Sequence, residues 1–273
     1  MKRTVANWIL WILMLTVLIG MLLPLWWMLF GAFSESFDSG SLWKNLSGYS
    51  ITLDNFKSIL SVKNFGRSII NSAIVGTAVT AGNAIFCLMV GYAFARYRFI
   101  GKKLLFITVA GVLMIPVHII IIPLFLLINK LGWYDTYAAL IVPFLVNPLG
   151  ILLLAQYIRE LPVDLEEAAR IDGAGELRIL FSIVMPMCKP VLAVLAVQIF
   201  MTNWNAFLMP FILTSSDSMR TLPVMLALLQ GYQQINWPQL FAASTISVIP
   251  VILVFLVFQK RIVSGIVAGA LKS

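Results

Sequence analysis

Charge is what this chain has least of. Only 11% of its 273 residues are Asp, Glu, Lys or Arg, against 61% hydrophobic, whereas soluble domains are about half apolar and about a quarter charged. That balance excludes a soluble globular domain and reads as an integral membrane protein. Histidine occurs once and cysteine twice. Cys87 and Cys188 fit no metal or redox spacing, so each reads as a small buried or interfacial hydrophobe, and no metal site is expected. The phosphate-cradling sequence G-x-x-x-x-G-K-[ST] is absent, and no nucleophile, base and acid stand together. Neither nucleotide hydrolysis nor any other catalysis, and no bound cofactor, is expected of this chain.

What is present is a set of apolar runs. Crossing about 30 Å of hydrocarbon takes roughly 20 helical residues, and six runs reach that length, near 9–31, 70–93, 104–128, 137–157, 191–213 and 240–258. Every Lys, Arg, Asp and Glu falls outside them, as the insertion cost of roughly 2.5 to 3.5 kcal/mol for a charge at a helix centre demands. The expectation is an all-α membrane protein with six transmembrane helices, residues 1–273 forming one transmembrane domain. The first run exceeds the 7 to 15 apolar residues usual in a signal peptide and is read as a retained helix.

The basic residues orient the chain. Lys2, Arg3, Arg96, Arg98, Lys102, Lys103, Arg159, Arg170, Arg178, Lys189, Lys260, Arg261 and Lys272 fall on one side, and Lys44, Lys57, Lys63, Arg67, Lys130 and Arg220 on the other. The richer side is expected to be cytoplasmic, with both termini there. The net charge of +8 is then a consequence of topology. These cations are dispersed along membrane edges rather than gathered on a soluble face, so nucleic acid is not an expected partner, and membrane lipid is.

Six of the eleven acids crowd into the loop at 158–189, between the fourth and fifth runs: Glu160, Asp164, Glu166, Glu167, Asp172 and Glu176. Pro162 suits a helix entry, and Asp164 with Glu167 three residues on makes an Asp form of the capping box. Asp172-Gly173 ends that helix, Gly173 and Gly175 let the chain turn, and a second short helix is expected over 176–184. The product is a compact charged knob on the membrane surface. Small alanines admit a close partner, and Glu167 offers it a charge; a plain solvated surface helix is the bland alternative.

The spacing within that knob resembles a known pattern. Glu167-Ala168-Ala169, Gly173 after three residues, Ile183 after nine more and Pro186 match the E-A-A-x3-G-x9-I-x-L-P loop of ABC importer permeases, with Met185 in place of Leu, a volume-conserving swap. Leu53-Asp54-Asn55-Phe56, Asn71-Ser72, Tyr92-Ala93-Phe94-Ala95-Arg96, Trp204-Asn205-Ala206-Phe207, Thr221-Leu222-Pro223 and the tail from Gly265 to Lys272 extend the likeness to the carbohydrate-uptake branch. The resemblance implies a type I importer permease fold, a second related permease, two ATPase subunits that consume ATP and Mg, and an extracytoplasmic solute-binding protein. It also implies that Glu166, Glu167, Ala168, Ala169, Asp172 and Gly173 form a coupling helix seated on the ATPase. Glu167 is the candidate for a salt bridge there, and Ser264, Gly265, Gly269 and Lys272 for a second contact. The implied location is a bacterial or archaeal cell membrane.

The substrate path is less legible. Polar residues at membrane depth face a bundle interior or a wet cavity, and His118, Asn147, Asn203, Trp204 and Asn205 are the candidates, with interhelical hydrogen bonding as the ordinary alternative. His118, flanked by Pro116 and Pro123, has no acid in the runs to orient it. The polar segments 34–67 and 214–239, the latter with Arg220, Gln233, Gln234 and Trp237, are expected outside as docking surfaces for the binding protein. An ion-coupled secondary transporter or channel is the rival class, but it generally needs intramembrane carboxylates, which the runs lack.

Overall fold

Lipid offers no hydrogen-bond partners, so a spanning backbone must satisfy its own amides, and a helix does so within one segment. The computed structural model describes residues 2–37, 45, 49–229 and 236–270, with side chains described only within 7–37, 45, 49–229 and 236–259. Lys44, Gln233, Gln234 and Lys272 lie outside the described residues, as do the side chains of Lys2, Arg3, Lys260, Arg261 and Ser264.

In chain order the helices are α1 (Lys2–Ala32), α2 (Asp54–Ser61), α3 (Phe65–Arg96), α4 (Lys102–Val112), α5 (Ile121–Lys130), α6 (Tyr137–Ile141), α7 (Pro148–Arg159), α8 (Asp164–Ile171), α9 (Glu176–Ile179), α10 (Met185–Met187), α11 (Lys189–Trp204), α12 (Leu208–Leu213), α13 (Leu222–Leu229) and α14 (Trp237–Ala270). A 3-10 turn, Val117–Ile120, leads into α5, and a π turn, Leu180–Val184, joins α9 to α10. The extended pairing among the described residues is a single antiparallel bridge between Ser34 and Ile51.

Among the described residues, four stretches are long and apolar enough to cross a membrane: Asn7–Ala32, Phe65–Arg96, Tyr137–Arg159 and Trp237–Gln259. The third and fifth expected runs are not straight helices. The 104–128 run divides into α4 and α5, bent by 96°, because Pro116 sits extended at ψ 130° and its ring can neither donate to the helix ladder nor tolerate a helical predecessor. The segment Glu176–Met187 meets α11 at 81°, with Pro186 and Pro190 on either side of Cys188. The π turn just before Pro186 widens the ladder where the proline ring would crowd the carbonyl four residues back. That bend lies just before the 191–213 run, which is itself interrupted between Trp204 and Leu208.

The chain divides into two compact units, residues 1–66 with 225–250 and residues 67–224 with 251–273. In the first, Asn55 Nδ2 donates to the carbonyls of Ala32 (3.0 Å) and Ser34 (2.8 Å), binding α2 to the end of α1. Phe33 packs on Phe56 and Phe37 on Phe241, and a Cβ on Gly31 would strike the Phe241 ring. The second unit holds the apolar core, built from Val79, Leu88, Leu140, Leu154, Ile158, Ile179 and Val184 among others. There α3 and α7 approach so closely that a Cβ on Gly91 would lie 2.9 Å from Leu154 Cβ and 3.1 Å from the Ala155 amide nitrogen. Small residues at such crossings let backbones meet where lipid supplies no hydrophobic drive.

Within the second unit the segment that follows α12 is pinned to α3. Asn71 Nδ2 donates to the carbonyls of Ser218 and Arg220, both at 2.9 Å, and Asn71 Oδ1 accepts from Tyr137 Oη at 2.6 Å. Ser72 Oγ accepts from the Leu222 amide at 2.8 Å. Asp135 Oδ1 accepts from the amides of Ser215 and Ser216. Burial of Asp135 pushes its pKa upward, but hydrogen bonds from Ser216 and Ser215 and the Arg220 charge outweigh it, so its carboxyl sits below the ordinary aspartate value.

Candidate functional site

The acidic loop folds as a helix, a glycine stop and a second helix. Gly173 stands at φ +81°. Its amide donates to the Arg170 carbonyl at 3.0 Å, and the Ala174 amide reaches back to the Ala169 carbonyl at 2.9 Å. These are the two bonds of a Schellman stop, in which the left-handed residue lies four positions after the carbonyl that the next residue closes on. The spacing A-x3-G thus has a local cause: Ala169 and Gly173 are the two ends of one motif, and glycine adopts positive φ without a Cβ penalty. The N-terminus differs from the expectation. Asp164 is the first helical residue, Val163 takes the cap position without a side-chain bond, and the Val163 carbonyl accepts from Glu166 and Glu167. The capping box is therefore not formed, because the helix begins one residue early for it, at Asp164 itself; Asp164, Glu166 and Glu167 instead crowd the positive end of the helix dipole.

The side chains of α8 divide by face. Glu167, Ala168 and Asp172 point outward and are exposed, with Leu165 and Ile171 (86% exposed) beside them. Ala169 and Ala174 pack against the core. Glu166, named above with the outward set, points inward and is 1% exposed. Its Oε1 accepts from Arg96 Nε at 2.8 Å, its Oε2 from Tyr92 Oη at 3.0 Å, and Arg170 Nη2 lies 3.8 Å away. Arg96 also donates to the Leu161 carbonyl at 2.9 Å. A buried carboxylate persists only with such partners.

Glu176 extends the cluster. It accepts from Arg170 Nε (2.8 Å) and Nη2 (3.1 Å), from Tyr97 Oη (2.6 Å) and from Tyr92 Oη (3.3 Å). The Arg170 bond, followed by that from Tyr97, holds the Glu176 carboxyl down at about 2. Burial, then the bond to Glu176, pushes the Tyr97 hydroxyl up to about 12. Four charged hydrogen-bonded groups, Arg96, Glu166, Arg170 and Glu176, and two tyrosines so fasten α8 and α9 to the end of α3. Tyr92, Arg96, Tyr97, Arg170 and Glu176 were not among the residues singled out for a role from sequence. The signal was there in part: Tyr92 and Arg96, like Glu166 and Arg170, are four apart and share a helix face.

The five pathway candidates do not gather. Asn147 caps α7, accepting from the Gly150 amide at 3.2 Å. Asn203 and Asn205 donate to the carbonyls of Ile199 and Met201, each four residues back and 2.9 Å away. Trp204 is buried and stacks on Phe200 at 5.7 Å. His118 is exposed in the 3-10 turn after Pro116, and no hydrogen bond among the described residues joins it to the other four. Of the tail candidates, Ser264, Gly265 and Gly269 lie on the helical backbone of α14, while Lys272 is outside the described residues.

A family model described as binding-protein-dependent transport system inner membrane component matches residues 87–267. The chain is 39% identical over 256 residues to the trehalose/maltose transport system permease protein MalG of Thermococcus litoralis, covering 92% of this chain and 91% of that protein. It is 37% identical to the arabinooligosaccharides transport system permease protein AraQ of Halalkalibacterium halodurans, over 81% and 80% of the two. Its fold matches a chain of a bacterial ABC transporter that imports the acidic polysaccharide alginate, with a TM-score of 0.82 over 96% of this chain and 98% of that one, at 22% identity. The chain belongs to the family of binding-protein-dependent transport system inner membrane components, multi-pass permeases of ABC importers.

Proposed function

We propose that this chain is the translocation subunit of an ATP-driven importer that moves a sugar or sugar-like solute, such as an oligosaccharide, glycoside, polyol or glycerol phosphate, from a binding protein into the cytoplasm. The relatives named for trehalose/maltose and arabinooligosaccharides support the substrate class. In this reading α4 with α5 is the third span of six and α11 with α12 the fifth, both termini are cytoplasmic, and a second homologous permease completes the pathway. Two separate ATPase subunits hydrolyse ATP with Mg, and this chain is not itself a catalyst.

The observation that carries the coupling assignment is the division of α8: Glu166 is clamped inward while Glu167, Ala168 and the exposed Leu165 and Ile171 face out. An exposed apolar patch beside an unburied carboxylate suits a protein interface better than water. When ATP draws the ATPases together, force on the outer face of α8 passes through Glu166 and Arg96 to α3, and through the continuous backbone to α7 and α11. Rigid-body rocking of packed helices then alternates access. The tail of α14 supplies a second ATPase contact. The test is uptake in proteoliposomes holding the co-purified complex with ATP inside; transport that persists without ATP overturns the reading in favour of a secondary transporter.

A further inference from the structure

Beyond solute import, we infer that a cavity beside Gly101 binds the phosphate headgroup of an anionic phospholipid. The cavity, of about 830 Å³, lies between the start of α4 and the end of α7. Its charged lining is Lys102, Lys103 and Arg159 with no carboxylate, and the remainder is apolar, including Phe99, Phe106 and Ile107. No carboxylate among the described residues pairs with any of the three cations.

Two of them are already oriented. Lys102 Nζ donates to the Tyr97 carbonyl at 2.8 Å. Arg159 donates from Nη2 to the Phe94 carbonyl at 3.3 Å, and its guanidinium lies 5.2 Å from the Phe106 ring centre. Both bonds are to neutral acceptors, so the positive charge is held in place and left uncancelled. Leu104 and Ile107, more than half exposed, continue down α4 as a surface for acyl chains. A free anion would use the cations and leave that apolar half uncovered; a phospholipid covers both, and basic pockets at helix ends on the cytoplasmic side are where such headgroups collect. This site rests on the placement of this loop at the membrane surface and not on the identity of the transported solute.

The test is native mass spectrometry of the full chain, purified with its partners in mild detergent and stripped of lipid, then offered phosphatidylglycerol and phosphatidylcholine with the same acyl chains. Preferential retention of phosphatidylglycerol is expected. Each cation near an anionic surface contributes about a fivefold preference, so Lys102→Gln with Lys103→Gln lowers it by about 25-fold, and adding Arg159→Gln removes most of the rest. Arg159 also holds the Phe94 carbonyl, so the lysine pair alone is the deciding variant, checked by unchanged thermal unfolding. Equal retention of the two lipids, a preference unaffected by the lysine pair, or complete displacement by millimolar inorganic phosphate overturns the lipid site. A carboxylate of a neighbouring subunit cross-linking to Lys103 overturns it in favour of a subunit interface.

Discussion

Arg96 and Glu166, seventy residues apart in sequence, meet through a 2.8 Å bond from Nε to Oε1, with side chains only 11% and 2% exposed. This pair ties the last turn of α3 to the first turn of α8. The loop is thereby fastened to the helix core.

Arg96→Met strands a buried carboxylate and is expected to cost about 3 to 5 kcal/mol of stability, the range for breaking a buried pair from one side. Arg96→Met with Glu166→Leu removes both charges and is expected to recover most of that loss. Thermal unfolding of the four proteins of this cycle in detergent measures it; additive losses, with no recovery in the double variant, would show that the pair is not coupled.

Gly173 supplies a separate prediction. At φ +81° a Cβ meets nothing within 4 Å, so the penalty for Gly173→Ala is conformational, roughly 1 to 2 kcal/mol. Gly173→Asn is expected to cost less, since Asn tolerates the left-handed region. Equal unfolding temperatures for the alanine and asparagine variants would contradict a backbone cause.

Glu176 makes the loop acid-sensitive. Its carboxyl is held at about 2, below its unperturbed 4.5, chiefly by Arg170. A depressed folded-state value means its stabilisation is fully present above about pH 4.5 and is lost as pH falls from there toward 2. Glu176→Gln is expected to flatten the pH dependence of unfolding within that window and leave it unaltered near pH 7. Titrated unfolding from pH 6 to pH 3 reads this directly.

The crossing of α3 and α7 predicts a packing defect. Gly91→Val drives a branched side chain against the Ala155 amide, where neither backbone can yield locally, and overpacking of this kind costs typically 1 to 3 kcal/mol. Gly20→Ala, where nothing lies within 4 Å, is the neutral comparison, and detergent unfolding of the two variants separates crowding from a general effect of replacing glycine.

Hydropathy with charge located the apolar runs, because the cost of a buried charge is large and independent of partner. It missed the bends at Pro116 and Cys188, since length counts residues and not ladder continuity. The stop at Gly173 was legible because its cause is local, whereas the missing capping box shows that a residue pattern at i and i+3 leaves open where the helix begins. The inward turn of Glu166 was not legible. Glu166 and Glu167 are chemically identical neighbours, and only the placement of Arg96 and Tyr92, brought by tertiary packing, tells them apart. Asn147, Asn203 and Asn205 were likewise ambiguous, as a polar side chain at membrane depth can close on its own backbone as readily as on a solute.

The two adjacent glutamates therefore allow a test that separates folding from the proposed coupling. Glu167 is exposed, so Glu167→Lys is expected to leave the unfolding temperature within the usual range of a surface change, about 0.5 kcal/mol. ATP-driven uptake should fall at least about tenfold in the same variant, because a charge pair across an interface couples by roughly 1.5 kcal/mol or more. Glu166→Gln should do the reverse first, lowering stability by leaving Arg96 without its carboxylate partner before any effect on partner binding. Measuring unfolding, ATPase co-purification and uptake on both variants distinguishes the roles. If Glu167→Lys transports normally and retains its ATPase, the outer face of α8 does not carry the coupling contact, and the exposed Leu165 and Ile171 must be tested in its place.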